Sequence, residues 1–146
     1  MNTKNKIANL LYNSINSLQN NDKYIVKLED KTIDLINEIL NNNPYFFDSI
    51  ESIFDEILSL NFIKDDKINL EILNITKIYQ YITKILDNIN NLQYINIDFD
   101  IKMNLIKFIF NLLIEENKEN IQNSDIILSK IIQLIDNISN IIKIFQ

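Results

Sequence analysis

Apolar residues recur every three or four positions along almost the whole chain, the period of an α-helix that buries one side. Ile7, Leu10, Leu11, Ser14 and Leu18 set a first helix at about residues 3–20. Asp30 is placed to cap a second, with Ile33, Ile36 and Leu40 on one face. In NNNPYFFDSIESIFDEIL, residues 41–58, Asn43 is a candidate cap and Pro44 suits a first turn. Phe47, Ile50, Phe54, Ile57 and Leu58 line the inner side of that helix. Asn69 is the expected cap of a fourth, with Ile68 and Leu73 as a hydrophobic staple. Ile72, Ile75, Tyr79, Ile82, Leu86 and Ile89 continue it.

The last two helices are of another kind. A fifth, about residues 100–116, carries Ile101, Met103, Leu105, Ile106, Phe108, Ile109, Phe110, Leu112, Leu113 and Ile114 almost all the way round. A helix with no polar side belongs at the centre of a fold. The sixth opens near Ser124 and has two adjacent apolar rows. Leu128, Ile131, Ile135, Ile138, Ile142 and Phe145 form one, and Ile127, Leu134 and Ile141 the other. A coiled-coil seam uses one narrow row between polar flanks, so two rows favour a globular bundle.

The chain has no glycine, which in most proteins ends helices in the left-handed conformation. Asparagine is the best substitute for that backbone. It stands where each stop is expected, at Asn20–Asn21, Asn41–Asn43, Asn61, Asn90–Asn91 and Asn117. Two segments depart from the helical period. KYIVKL (Lys23–Leu28) and QYINIDF (Gln93–Phe99) alternate in steps of two. They either pair as a small two-stranded ribbon packed on helices or lie as extended loops, the plainer account. No linker and no fixed-period repeat divides the 146 residues. The expectation is an all-α, single-domain bundle of five to six helices, with room for that minor ribbon.

Composition supports a packed domain. At 47% hydrophobic and 23% charged, the chain sits in the globular range. A domain near this length buries roughly 70% of its unfolded surface and needs no disulfide or metal to fold. Ile and Asn supply roughly two-fifths of the residues, while Ala and Val occur once each and Arg never. The enriched types have AT-rich codons and the depleted ones GC-rich codons, which points to an AT-biased genome. Much of the Ile then reflects drift from Val and Leu at core positions, where volume-conserving swaps are tolerated.

Several chemistries lose their usual residues. Without cysteine there is no thiolate nucleophile and no zinc–thiolate site; without histidine there is no ordinary triad base. Phosphate-cradling loops need glycine. Adjacent carboxylates at Asp55–Glu56, Asp65–Asp66 and Glu115–Glu116, and the close pair Asp98 and Asp100, point roughly 100° apart per residue on a helix. Solvated faces account for them better than an acid–base dyad. The loop NFIKDDKINLEI resembles half of an EF-hand. With Ile68 at the eighth position, however, Ile63 falls third, Asp66 sixth and Ile72 twelfth, where an oxygen ligand, Gly and Glu are required.

Tyr45, Phe46 and Phe47 read as core at helical spacing, not as a base-stacking platform. Lys64, Lys67, Lys102 and Lys107 are scattered among acids, and a net charge of −6 repels a phosphate backbone, so no nucleic-acid binding is expected. No catalytic residue, cofactor or metal is expected. Lys107, Glu115, Lys130 and Asp136 interrupt the longest apolar runs, so no membrane span is expected. The N-terminal stretch lacks the apolar core of a secretory signal, and an intracellular location is expected.

PYFFDSIESIFDEIL…KDDKINLEIL…ITKIYQYI, followed by LIKFIFNLLIEE…LIDNISNIIKI, resembles short all-helical proteins encoded by large DNA viruses of protists. Their pattern is an aromatic-led helix, an element like D-G-K-I-x-L-x-D-I-P, and two long apolar helices. The resemblance covers about residues 40–145. Asp66 stands in place of the loop glycine, and Leu73–Asn74 in place of the Ile–Pro step. It implies a virus-encoded, non-enzymatic protein such as a virion component, in the particle or the host cytoplasm.

The apolar surface of the fifth and sixth helices is large for one small core, and excess of that kind serves self-association or a protein partner. Phe110, Ile114, Ile127, Leu134 and Ile141 are the candidate interaction residues. The other reading is a viral Bcl-2-like death inhibitor binding partner helices in a groove. That family's groove motif carries Gly-Asp and usually Arg, and this chain has neither Gly nor Arg.

Overall fold

Six helices in the computed structural model follow the apolar periodicity: α1 (Lys6–Asn16), α2 (Asp30–Asn42), α3 (Phe46–Ser59), α4 (Ile72–Asn90), α5 (Phe99–Glu116) and α6 (Ser124–Ile144). The structure describes residues 5–16, 24–43, 45–59, 63–64, 67–68, 72–92, 97–119 and 124–145. All six helices contribute to one buried apolar cluster, so the molecule is an all-α single-domain bundle.

α5 is the axis of that bundle. It packs on α1, α2, α4 and α6, and its buried residues run from Ile101 to Ile114 on every side. Phe108 and Phe110 are each 1% exposed, and Leu105, Ile106, Ile109 and Leu112 are sealed completely. The other helices are one-sided. α2 turns Leu35, Ile36, Ile39 and Leu40 inward, α4 Ile78, Ile82, Ile85, Leu86 and Ile89, and α6 Ile127, Leu128, Ile131, Ile135 and Ile138. Phe46 and Phe47 are buried edge-to-face, while Tyr45 beside them is exposed, so two of the three expected core aromatics are inside.

Helix ends differ from the sequence reading in physical detail. α1 starts later than residue 3 because Asn5 caps it, its Oδ1 accepting the Ala8 N–H at 2.9 Å. The same side chain donates from Nδ2 to Asp48 Oδ1 at 2.9 Å and so joins α1 to α3. α2 is preceded by Glu29, not capped by Asp30. Glu29 has the extended backbone, and Asp30 sits within the first turn, where its charge suits the helix dipole. Asn43 closes α2, its N–H reaching Ile39 O at 2.8 Å. Its carbonyl then accepts the Phe46 N–H at 3.1 Å, linking the end of α2 to the start of α3. Pro44 and Asn69 lie outside the described residues, as do the side chains of Phe54, Ile57, Leu58, Ile68, Ile72, Leu73 and Ile75.

Asparagine closes both α2 and α5, and at these two ends it does not use the left-handed backbone. Asn43 has φ −150° and Asn117 φ −113°, both on the ordinary side of the map. At Asn117 the side chain does the work: Nδ2 donates to Leu113 O at 2.7 Å and satisfies a carbonyl that the helix leaves open.

Of the two readings of the alternating segments, the described residues show no ribbon there. Residues 24–28 are irregular, Phe99 is the first residue of α5, and residues 93–96 lie outside the described residues. Among the described residues an antiparallel pair joins β1 (Ile63–Lys64) to β2 (Lys67–Ile68), with Ile63 opposite Ile68, inside the segment tested above as a calcium loop. The other positions of that loop, Asn61, Asp65 and Asp66 among them, lie outside the described residues.

Candidate functional site

Two asparagines interrupt the apolar surface of α5, seven positions apart and therefore on one stripe. Both hold the extended segment that leads into α2. Asn111, fully buried, accepts the Val26 N–H through Oδ1 at 2.8 Å. Asn104 donates through Nδ2 to Lys27 O at 2.9 Å. Its Oδ1 accepts the Glu29 N–H at 3.2 Å and the Thr32 hydroxyl at 2.7 Å. Tyr24 anchors the same segment, its ring edge-on to Phe108 at 5.3 Å. The chain thus runs antiparallel to α5 as a strap whose backbone polar groups are met by side-chain amides. Among the described residues, the Asn111 Nδ2 is a buried donor with no acceptor. These amides are structural: each bond closes on the protein's own backbone or on Thr32.

Below the strap, Glu29, Asp100, Asn104, Lys107, Asp136 and Lys143 help line an open cleft of about 480 Å³ between the start of α2, α5 and α6. Lys107 Nζ meets Asp136 Oδ1 at 2.6 Å, and Lys143 Nζ meets Asp100 Oδ1 at 2.7 Å. Both pairs cross from α5 to α6. Among the described residues lining the cleft, each ammonium is thus held by a carboxylate. Among the described residues no group of three or more acids is gathered as a metal site.

Among the described residues two titratable groups are displaced. Burial, a hydrogen bond to Glu56 and that carboxylate's charge raise the Tyr81 phenol above its ordinary value. Lys84 stands over the Tyr81 ring at 5.8 Å. A hydrogen bond to Glu115 raises Lys118 on the open surface. Neither group lies in the cleft. The remaining paired acids of the sequence, Asp55, Glu56, Asp98 and Glu116, stand on the surface.

The candidate interaction residues separate into two sets. Phe110, Ile114 and Ile127 are at most 5% exposed and belong to the core, and Leu134 is packed against it. α5 buries every apolar residue from Ile101 to Ile114, so these offer no surface to a partner. Ile141 is 52% exposed. It has company: Ile126 and Ile144, which belong to neither apolar row, are 50% and 75% exposed, and Phe145 is 84% exposed. Phe145 stands beyond the last turn of α6 rather than in the inner row expected for it.

Ser129, Lys130, Gln133, Asn137 and Asn140 complete the outer face of α6 between these apolar ends. The signal for this face was available in the sequence. Ile126 and Ile144 lie about five whole turns apart and so point the same way, opposite the inner row. Tyr79, counted among the inner residues of α4, is likewise 44% exposed.

No helix among the described residues is long and apolar enough to cross a membrane. The chain matches no family model, no curated protein and no solved structure.

Proposed function

We propose that the chain is a non-enzymatic interaction protein that works through the outer face and C-terminal end of α6, as a component of a viral particle or of its assembly. The observation that carries the reading is the exposure of Ile141, Ile144 and Phe145 together on one end of a helix whose inner face is fully engaged. Three large apolar side chains side by side on a monomer's surface cost solvation that burial against a protein would recover, at roughly 25 cal/mol per Å². The paired lysines of the cleft favour a structural role for it. The negative chain disfavours nucleic acid as the partner. The viral assignment rests on the resemblance over residues 40–145 and on the AT-biased composition.

The test is capture from the native source with the full chain and with an Ile141→Lys/Ile144→Lys/Phe145→Lys variant. A discrete set of polypeptides retained by the first and lost by the second is the expected result. Equal retention by both, or none by either, would overturn the assignment to α6.

The death-inhibitor reading draws on the central place of α5, which suits a groove-forming bundle. α5 is covered by its own neighbours, so a partner helix would have to displace one of them. Binding of a helical death-motif peptide would favour that reading.

A further inference from the structure

We infer that the partner of the α6 face is a second copy of this chain, docked antiparallel about a two-fold axis between Gln133 and Asn137. The inference rests on the reading above and names its partner. Ile126, Lys130, Gln133, Asn137, Asn140 and Ile144 are all exposed and follow one another at steps of four and three, the spacing of a helix–helix seam. The stripe is closed by isoleucine at both ends and filled by amides in its middle. Ile126 and Ile144 are separated by about 27 Å along the axis. Turning one copy end for end about the midpoint brings Ile126 of each onto Ile144 of the other. The same rotation sets Gln133 against Asn137, two side chains that each donate and accept. A two-fold interface must match itself in this way.

Charge selects the antiparallel arrangement over a parallel one. Lys130 is the only charged residue of the stripe, on a molecule of net charge −6. Parallel pairing would set Lys130 against its own copy. Antiparallel pairing faces it with Asn140 and holds the two ammonium groups about 15 Å apart along the axis. It also opposes the two helix dipoles, and it lays the Lys130 stem beside Ile141 of the second copy. A face one helix wide and about 27 Å long falls short of the roughly 1,200 Å² of standard interfaces. The dimer is therefore a weak one that forms where the chain is concentrated, as within an assembly.

The chain has no cysteine, so introduced thiols report only on themselves. Lys130→Cys and Asn140→Cys variants of the full chain are oxidised separately and as a mixture, with Asn41→Cys at an exposed position of α2 as the control. Thermal melting checks that each is folded. Antiparallel docking predicts a mixed disulfide dimer forming at least tenfold faster than either variant alone. Ile144→Lys placed in both partners should return the mixture to the control rate. Rapid dimerisation of each variant alone would overturn the antiparallel register. Cross-linking of the mixture no faster than the control would overturn self-docking. In that second case, capture of another polypeptide lost with the triple lysine variant would leave the wider reading of α6 standing.

Discussion

α5 and α6 are both rich in apolar residues, yet they meet water in different ways. α5 buries its apolar residues from Ile101 to Ile114 and even Asn111, and meets water through polar side chains such as Asp100 and Lys107 along the cleft. α6 buries one face and leaves Ile126, Ile141 and Ile144 half or more exposed on the other. Apolar content alone therefore does not say where a contact surface lies. What matters is whether neighbouring elements cover every side. Four helices and a strap surround α5, while α6 packs on α5 and α4 and closes the bundle from outside.

The sharpest way to break this contrast is a pair of truncations. Phe108→Ala removes a ring that packs on Tyr24 inside the core and should cost about 3–5 kcal/mol of unfolding free energy. Ile135→Ala, on the buried side of α6, should cost about 2–4 kcal/mol. Ile144→Ala on the outer side should change monomer stability by less than about 0.5 kcal/mol. Urea denaturation of the three variants at low protein concentration measures all of these. Similar losses for Ile135 and Ile144 would mean that α6 has no free face.

The amide stripe of α5 should give the next largest effect. Asn104→Ala removes the acceptor of the buried Thr32 hydroxyl and leaves two exposed backbone groups of the strap to water, a loss of about 1–2 kcal/mol by denaturation. Hydrogen exchange should accelerate at Glu29, whose amide proton Asn104 holds, while α6 stays protected. Uniform acceleration over the whole chain would instead mark the strap as part of the global fold.

Much of this was legible before any coordinates. Periodicity alone placed six helices and identified α5 as central, because a helix with no polar side has nowhere else to go. The strap was not legible as such. KYIVKL alternates like a strand, and what holds it is a pair of side-chain amides about eighty positions away, whose only sequence mark is two polar residues in an apolar helix. The β1–β2 pair was missed because two residues per strand carry no periodicity. The contact residues were half legible. Apolar rows identify what a helix can bury, but which row meets a neighbour depends on packing, so Phe110 and Ile127 went inside while Ile126 and Ile144 stayed out.

Smaller effects come from the ion pairs and from Tyr81. Asp136→Asn breaks a half-exposed bridge between α5 and α6 and should cost less than about 1 kcal/mol, less still in high salt. For Tyr81, the folded state favours the protonated phenol, since burial and Glu56 raise its pKa above 10.0. The stability it contributes is fully present below that pH and is lost as pH rises through the folded-state value. The stability difference between wild type and Tyr81→Phe should therefore stay level from pH 7 to 9 and shrink above pH 10. A difference that varied between pH 7 and 9 would place the phenol in another environment.

The most direct test of the outer face is sedimentation equilibrium of the full chain over a wide concentration range, beside Ile144→Lys. The wild type should rise from 17.3 kDa toward twice that mass as concentration increases, while the variant stays at 17.3 kDa with an unchanged melting temperature. A wild type fixed at the monomer mass at every concentration, or a variant that associates equally well, would contradict the account.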